Sequence, residues 1–325
     1  MKKFILCLLS LILVLGCKKD EAKDEAVSIK KTVNLDLERF DVMYAHATPK
    51  TLESLKKEYP FLFPSQFPDT TWTNKLKDNY FIALNKEVEK KFPNTTALED
   101  ELEMLVSRVK YYFPEEKTPR VITLVNEVIL DKKALYTNDF IFISLDTYLG
   151  KSHQFYDVFA DYQRQNLEPN QILPDLVTNF AFRKILPSQD KSLISEMIYF
   201  GKLQYLKDLL IPEYKDYEKI GYTAMQYKWC EENESQIWSY LIEKKLLYDN
   251  NIKNYQRFIE DAPFTKFYEE IDRESPGRVG QWIGWQIVRS YMENNEVTVS
   301  QLLKTEPIEI FNNSKYKPKK TEHND

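Results

Sequence analysis

The chain has 325 residues, of which 43% are hydrophobic and 14% aromatic, enough to bury a substantial core. Its 50 acidic residues outnumber 45 basic ones, for a net charge of −5, which argues against a nucleic-acid partner. Only seven glycines occur, which suits helices better than a many-turned β sandwich.

The N-terminus reads as a targeting segment. Lys2 and Lys3 precede an apolar run from Phe4 to Leu15, too short for the ~20 residues of a membrane-crossing helix. The run ends in Val14-Leu15-Gly16-Cys17, which resembles the bacterial lipobox. The pattern predicts a leader over 1–16, cleavage after Gly16 and acylation of Cys17, the candidate lipid-attachment residue. Each CH₂ of an acyl chain buried in a bilayer contributes ~0.8 kcal/mol, so Cys17 would hold the protein on a membrane. Of three cysteines, Cys7 leaves with the leader and Cys17 takes lipid. Cys230 then has no disulfide partner and reads as a small packed residue. Residues 17–31 form the lipidated cysteine and a flexible, charged tether without apolar periodicity. A single globular domain is expected over 32–311, and a polar flexible tail over 312–325.

Alternating apolar and polar residues over 33–40 predict a short strand or extended entry. Helical spacing follows over 51–59, 75–90 and 97–112. In the last of these Leu98, Leu102, Leu105, Val109 and Tyr112 share a face, and Thr96 with Glu99 has capping-box spacing. Residues 120–130 and 134–148 are rich in Val, Ile and Phe and read as neighbouring strands. Next comes a helix pair. Pro174 suits a first helical turn, Asp175 and the pair Arg183 and Lys184 complement the dipole, and Pro187 stops the helix. The partner over 193–211 carries Ile194, Met197, Ile198, Gly201, Tyr205 and Leu209 on one face, with Gly201 allowing close approach. Thr223 with Gln226, and Asn233 with Gln236, have capping-box spacing. Trp238, Leu241, Ile242 and Leu246 form a stripe. Ala262-Pro263 is expected to open a short helix ending near Asp272, and Ser275-Pro276 to cap a helix ending near Met292. Gly280 and Gly284 lie four apart, a spacing for close helix packing and not for a phosphate loop. The pattern predicts an α+β fold, predominantly α-helical, with a small β-sheet at about 120–148.

Little in the chain carries chemistry. His46, His153 and His323 are far apart, and no HExxH or Cys/His cluster occurs, so no metal or other cofactor is expected. No GxSxG or kinase loop is present. The acidic pairs Glu101 with Glu103, Glu231 with Glu232, and Glu269 with Glu270 read as solvated helix faces. Two carboxylates at a defined gap would be required for an envelope glycan hydrolase using Asp and Glu. Asn179, Glu196 and Arg278 are the candidate buried polar or pocket residues. Removing a buried partner leaves its mate unsatisfied at a cost of ~1–3 kcal/mol.

Several stretches together carry a resemblance. They are Glu38-Arg39-Phe40-Asp41, Tyr59-Pro60-Phe61-Leu62-Phe63-Pro64, Ser144-Leu145-Asp146-Thr147-Tyr148-Leu149-Gly150, Met197-Ile198-Tyr199-Phe200-Gly201-Lys202 and Ala262-Pro263-Phe264. The last is Ser275-Pro276-Gly277-Arg278-Val279-Gly280-Gln281-Trp282-Ile283-Gly284-Trp285. With the lipobox, these resemble the GldB family of gliding-motility lipoproteins over the chain to about residue 312. The resemblance implies a lipid-anchored, non-catalytic protein of the cell envelope, on the outer membrane, required for gliding alongside other proteins of that machinery. The chain is also distantly similar to zinc-dependent peptidases that carry an HExxH helix after a small sheet. That similarity implies a degenerate metallopeptidase-like architecture. Here the segment from Asp175 to Phe182 falls at the HExxH position without a histidine, so proteolysis is not implied. What remains as an alternative is an old cleft retained for binding peptide or envelope glycan.

Overall fold

The computed structural model describes residues 29–319. The expected leader, Cys17, the tether through residue 28 and the tail from 320 lie outside the described residues. The fold is α+β and predominantly helical, with one small sheet.

The extended entry lies along a helix before joining the sheet. Glu103 Oε1 accepts Leu35 N–H at 2.9 Å, and Ser107 Oγ accepts Thr32 N–H at 2.9 Å. The chain then forms β1 (Leu37–Glu38), α1 (Phe40–Ala45), α2 (Pro49–Glu58) and α3 (Asp69–Lys75). Phe40, Tyr44, Tyr59 and Phe81 bury together here as a satellite aromatic cluster. Helices α4 (Asn79–Lys91) and α5 (Thr96–Tyr112) follow. Leu102, Leu105 and Val109 bury on the expected face of α5. The expected Thr96 capping box does not form. Thr96 is already helical, and its N–H donates to Asn94 Oδ1 at 2.7 Å.

The two long strands expected over 120–148 are three short ones, β2 (Arg120–Leu124), β3 (Ala134–Tyr136) and β4 (Phe140–Ser144). The reason is a turn after β2, where Glu127 and Val128 take left-handed φ values of 65° and 60°. Asp146 pins that turn by accepting the N–H groups of Asn126 at 3.1 Å and Val128 at 2.7 Å. The sheet order is β1-β2-β4-β3. β1 and β4 run parallel to β2, with Val121 aligned to both Leu37 and Ile141. β3 returns antiparallel to β4, pairing Tyr136 with Ile141.

After α6 (Asp161–Arg164) come α7 (Ile172–Lys184) and α8 (Leu193–Leu210), the expected helix pair. The remainder is α9 (Asp216–Ile220), α10 (Ala224–Glu232), α11 (Glu234–Glu243), α12 (Ile252–Phe258), α13 (Val279–Asn294), α14 (Val299–Lys304) and α15 (Pro307–Asn313). Thr223 and Gln226 make their capping box. Asn233 does not cap α11, because its Nδ2 donates back to Trp229 O at 2.8 Å. No helix opens at Ala262-Pro263; Thr265 N–H instead donates to Pro276 O at 3.0 Å, tying two loops together. The same tie keeps Ser275-Pro276 out of the helix, and α13 starts only after Arg278, which holds a left-handed φ of 63°. Residues 313–319, in the described part of the expected tail, pack against the domain. Ser314 is buried, and Tyr316 hydroxyl donates to Glu234 Oε1 at 2.8 Å.

Helix α8 belongs to two cores. Leu203, Leu206 and Leu210 join the sheet and α7 in one, while Leu193, Ile194, Met197 and Ile198 join α13 in the other. At the α8–α13 crossing Gly201 faces the backbone of Gly284, and Gly284 faces Met197 O. A Cβ at either glycine would collide with main-chain atoms, so close packing is the role of both. Cys230 is buried in the second core, and burial pushes its thiol pKa well up, as a packed, unreactive cysteine requires.

Candidate functional site

Beside this dry crossing lies a cleft of about 390 Å³. Helix α7 contributes Pro174, Asp175 and Thr178 to it, and α8 contributes Phe200, Gln204 and Lys207. Arg278 and Gln281, at the start of α13, line it from the other side. The cleft therefore sits where the distant peptidase resemblance would put a catalytic helix.

Its floor is polar yet buried. Gln204 and Lys207 are only 2% and 5% exposed. Lys207 Nζ donates to Lys219 O at 2.5 Å, its one protein acceptor among the described residues. Burial is the largest influence on this amine and lowers its pKa to about 7. Asp175 and Asp208 raise it in part, while Arg278 and Lys133 lower it further. Gln204 Oε1 is buried without any hydrogen-bond partner. Native interiors leave few such atoms.

The groups around this floor are already paired. Lys133 meets Asp175 at 2.8 Å, and Tyr148 hydroxyl donates to the same carboxylate at 2.9 Å. Arg278 Nε meets Asp261 at 2.9 Å, with its guanidinium 5.5 Å from the Tyr222 ring centre. Behind the cleft Arg289 binds Asp208 through Nε and Nη2 at 2.8 and 2.7 Å, and Asp216 through Nη1 at 2.7 Å. Lys219 Nζ reaches Asp208 at 2.9 Å and Asp216 at 3.2 Å. Trp285 Nε1 donates to Asp208 at 2.8 Å. Burial pushes the Asp216 carboxyl up, but Arg289 and Lys219 outweigh it and hold its pKa below the usual value. This network fixes α9, and with it the Lys219 carbonyl that receives Lys207.

The three polar candidates do not converge. Arg278 lines the cleft. Glu196 lies in a separate hollow with Asp249 and Tyr255, its carboxylate 3.2 Å from Lys191 Nζ. Asn179 is a satisfied structural group, its Oδ1 accepting Tyr136 N–H at 2.6 Å. Sequence reasoning missed Gln204, Lys207 and the Arg289 network. The available signal was the Gln204–Lys207 spacing of three on α8, which puts both on one face. No group of three or more His, Cys, Asp and Glu side chains able to hold a metal occurs among the described residues.

A family model for the gliding motility protein GldB matches residues 20–318. The chain belongs to the GldB family. The match spans the sheet, both cores and the cleft. No curated protein and no solved structure matches the chain. Family membership assigns a role in gliding motility and associates the protein with the cell envelope.

Proposed function

We propose that the protein is a lipid-anchored, non-catalytic component of the gliding apparatus, held on the envelope by acylated Cys17 and working through contacts with other proteins of that machinery. The observation that carries this reading is the family match over residues 20–318. Two features support the anchor. The N-terminal apolar run is followed by Gly16-Cys17, and among the described residues no helix is long and apolar enough to cross a membrane. The absence of histidine from α7 supports a non-catalytic role, because a zinc peptidase draws two ligands from that helix. Replacing Cys17 with Ala is expected to move the protein into the soluble fraction and stop gliding. Normal gliding by cells whose variant is entirely soluble would sink the anchor. Elemental analysis of the purified protein is expected to find no stoichiometric zinc.

A second reading assigns the α7–α8 cleft to ligand binding. The buried, unpartnered Gln204 Oε1 favours it, since a bound donor would satisfy that atom. Cleavage of envelope glycan is less well supported, because Asp175 is engaged by Lys133 and Tyr148. Incubation with peptidoglycan is expected to release no fragments.

A further inference from the structure

We propose that the cleft between α7 and α8 binds the C-terminal carboxylate of a peptide. The inference rests on the cleft being a binding site and not on the membrane anchor.

The first element is a buried amine without a carboxylate partner, beside a guanidinium whose Nε alone is paired. A lysine ammonium has three N–H donors, and Lys207 gives one to Lys219 O. No carboxylate hydrogen-bonds to it among the described residues. The Asp175 charge nearby is taken by Lys133 at 2.8 Å. Arg278 uses Nε on Asp261, a carboxylate whose side chain is 74% exposed, and no acceptor meets its Nη groups among the described residues. A buried amine without a counter-ion is costly, and an anion seated against Lys207 and Arg278 removes that cost.

The second element is the acceptor. Gln204 Oε1 lies on the same helical face as Lys207, buried and unsatisfied. It calls for an N–H or O–H donor beside the anion. A peptide C-terminus supplies both groups at short range, a carboxylate and the amide N–H of its last residue. A free carboxylate supplies only the charge, and inorganic phosphate adds an O–H but no side chain for the apolar walls. A neutral glycan supplies hydroxyl and acetamido donors but no charge. Phe182, Phe200 and Tyr255 in the walls offer apolar contact for the last side chain.

Anion binding also has a proton signature. Lys207 faces Asp175 from α7, Asp208 from its own helix, and Arg278 and Lys133 across the cleft. With its pKa lowered to about 7, the amine is part-neutral at that pH. A carboxylate beside it draws the proton back, so binding near neutral pH is accompanied by proton uptake.

The test is calorimetric titration of the full-length protein in detergent, in two buffers of different ionisation enthalpy. The probes are acetyl-Ala-Leu-Phe with a free acid, its C-terminal amide, acetate, inorganic phosphate and chitotetraose. The acid is expected to bind saturably with proton uptake, and the amide about tenfold or more weakly. Lys207→Met is expected to abolish the preference for acid over amide, and Gln204→Leu to weaken both peptides. Circular dichroism checks that each variant is folded. If Lys207→Met does not fold, Arg278→Gln together with the acid–amide ratio of the unaltered protein decides. Equal binding of acid and amide overturns the proposal, as does an absence of saturable binding by the acid. Acetate or phosphate binding as tightly as the peptide acid overturns the peptide, and preferential binding of chitotetraose assigns the cleft to glycan instead. Membrane release by Cys17→Ala reads a separate property, so the two proposals fail independently.

Discussion

Two sides of α8 solve opposite packing problems. Toward α13 the helix has glycine at Gly201, and backbone meets backbone across the Gly284 contact with nothing between. Toward α7, about one turn further on, it buries Gln204 and Lys207 beside an open cleft. The first side leaves no room for a methyl group. The second leaves an acceptor without a donor and an amine without a counter-ion. A scaffold made rigid by the glycine seam can hold an unsatisfied polar floor in place, because the seam fixes the helix that carries it.

The largest way to break this comparison is to fill the seam. Gly284→Ala sets a methyl against Met197 O and is expected to cost about 3 kcal/mol, at the upper end for overpacking, measured by urea unfolding. A cost under about 0.5 kcal/mol would mean that the helices can separate freely. Next is the network behind the cleft. Asp208→Asn removes one charge from a cluster holding Arg289 and Lys219, and is expected to cost about 2 kcal/mol or more and to weaken ligand binding by loosening α9. Lys207→Met tests the other side through pH. The folded pKa of Lys207, about 7, lies below its ordinary 10.5. Between those values the unfolded chain holds a proton that the folded protein lacks, so this group makes stability rise with pH across that window. Below pH 7 both states are protonated and its full penalty applies. The variant is expected to be no less stable at pH 6 and to show a flatter rise toward pH 10. An unchanged slope would mean that Lys207 is not the buried titrating group. The smallest effect is expected at the sheet. Asn179→Ala frees Tyr136 N–H and is expected to cost about 1 kcal/mol without changing ligand binding.

The sequence made the scaffold more legible than the cleft. Periodicity placed the α7–α8 pair and the buried face of α5, because apolar residues at helical spacing record which side faces the core. Gly201 and Gly284 were readable as close-packing positions for the same reason. Strand lengths were not, since Glu127 and Val128 adopt left-handed φ without a glycine to announce the turn. The cap expected at Ser275-Pro276 failed because a loop-to-loop hydrogen bond at Thr265 outcompeted it. The cleft was hidden for a different cause. Its polar floor comes from α8, the Lys219 carbonyl and the start of α13, which are far apart in sequence. Only Arg278 among the polar candidates came close.

Asn179 and Arg183 have a consequence beyond local stability. In the antiparallel register of β3, Tyr136 turns its N–H and C=O away from β4. Asn179 Oδ1 accepts the first at 2.6 Å, and Arg183 Nη1 donates to the second at 3.2 Å. The outward backbone groups of Tyr136 are thus occupied by side chains of α7, while the opposite edge, Leu37–Glu38, is too short to recruit a strand. A strand arriving at that end of β3 finds the Tyr136 donor and acceptor already taken, which removes one route to edge-to-edge fusion of two sheets.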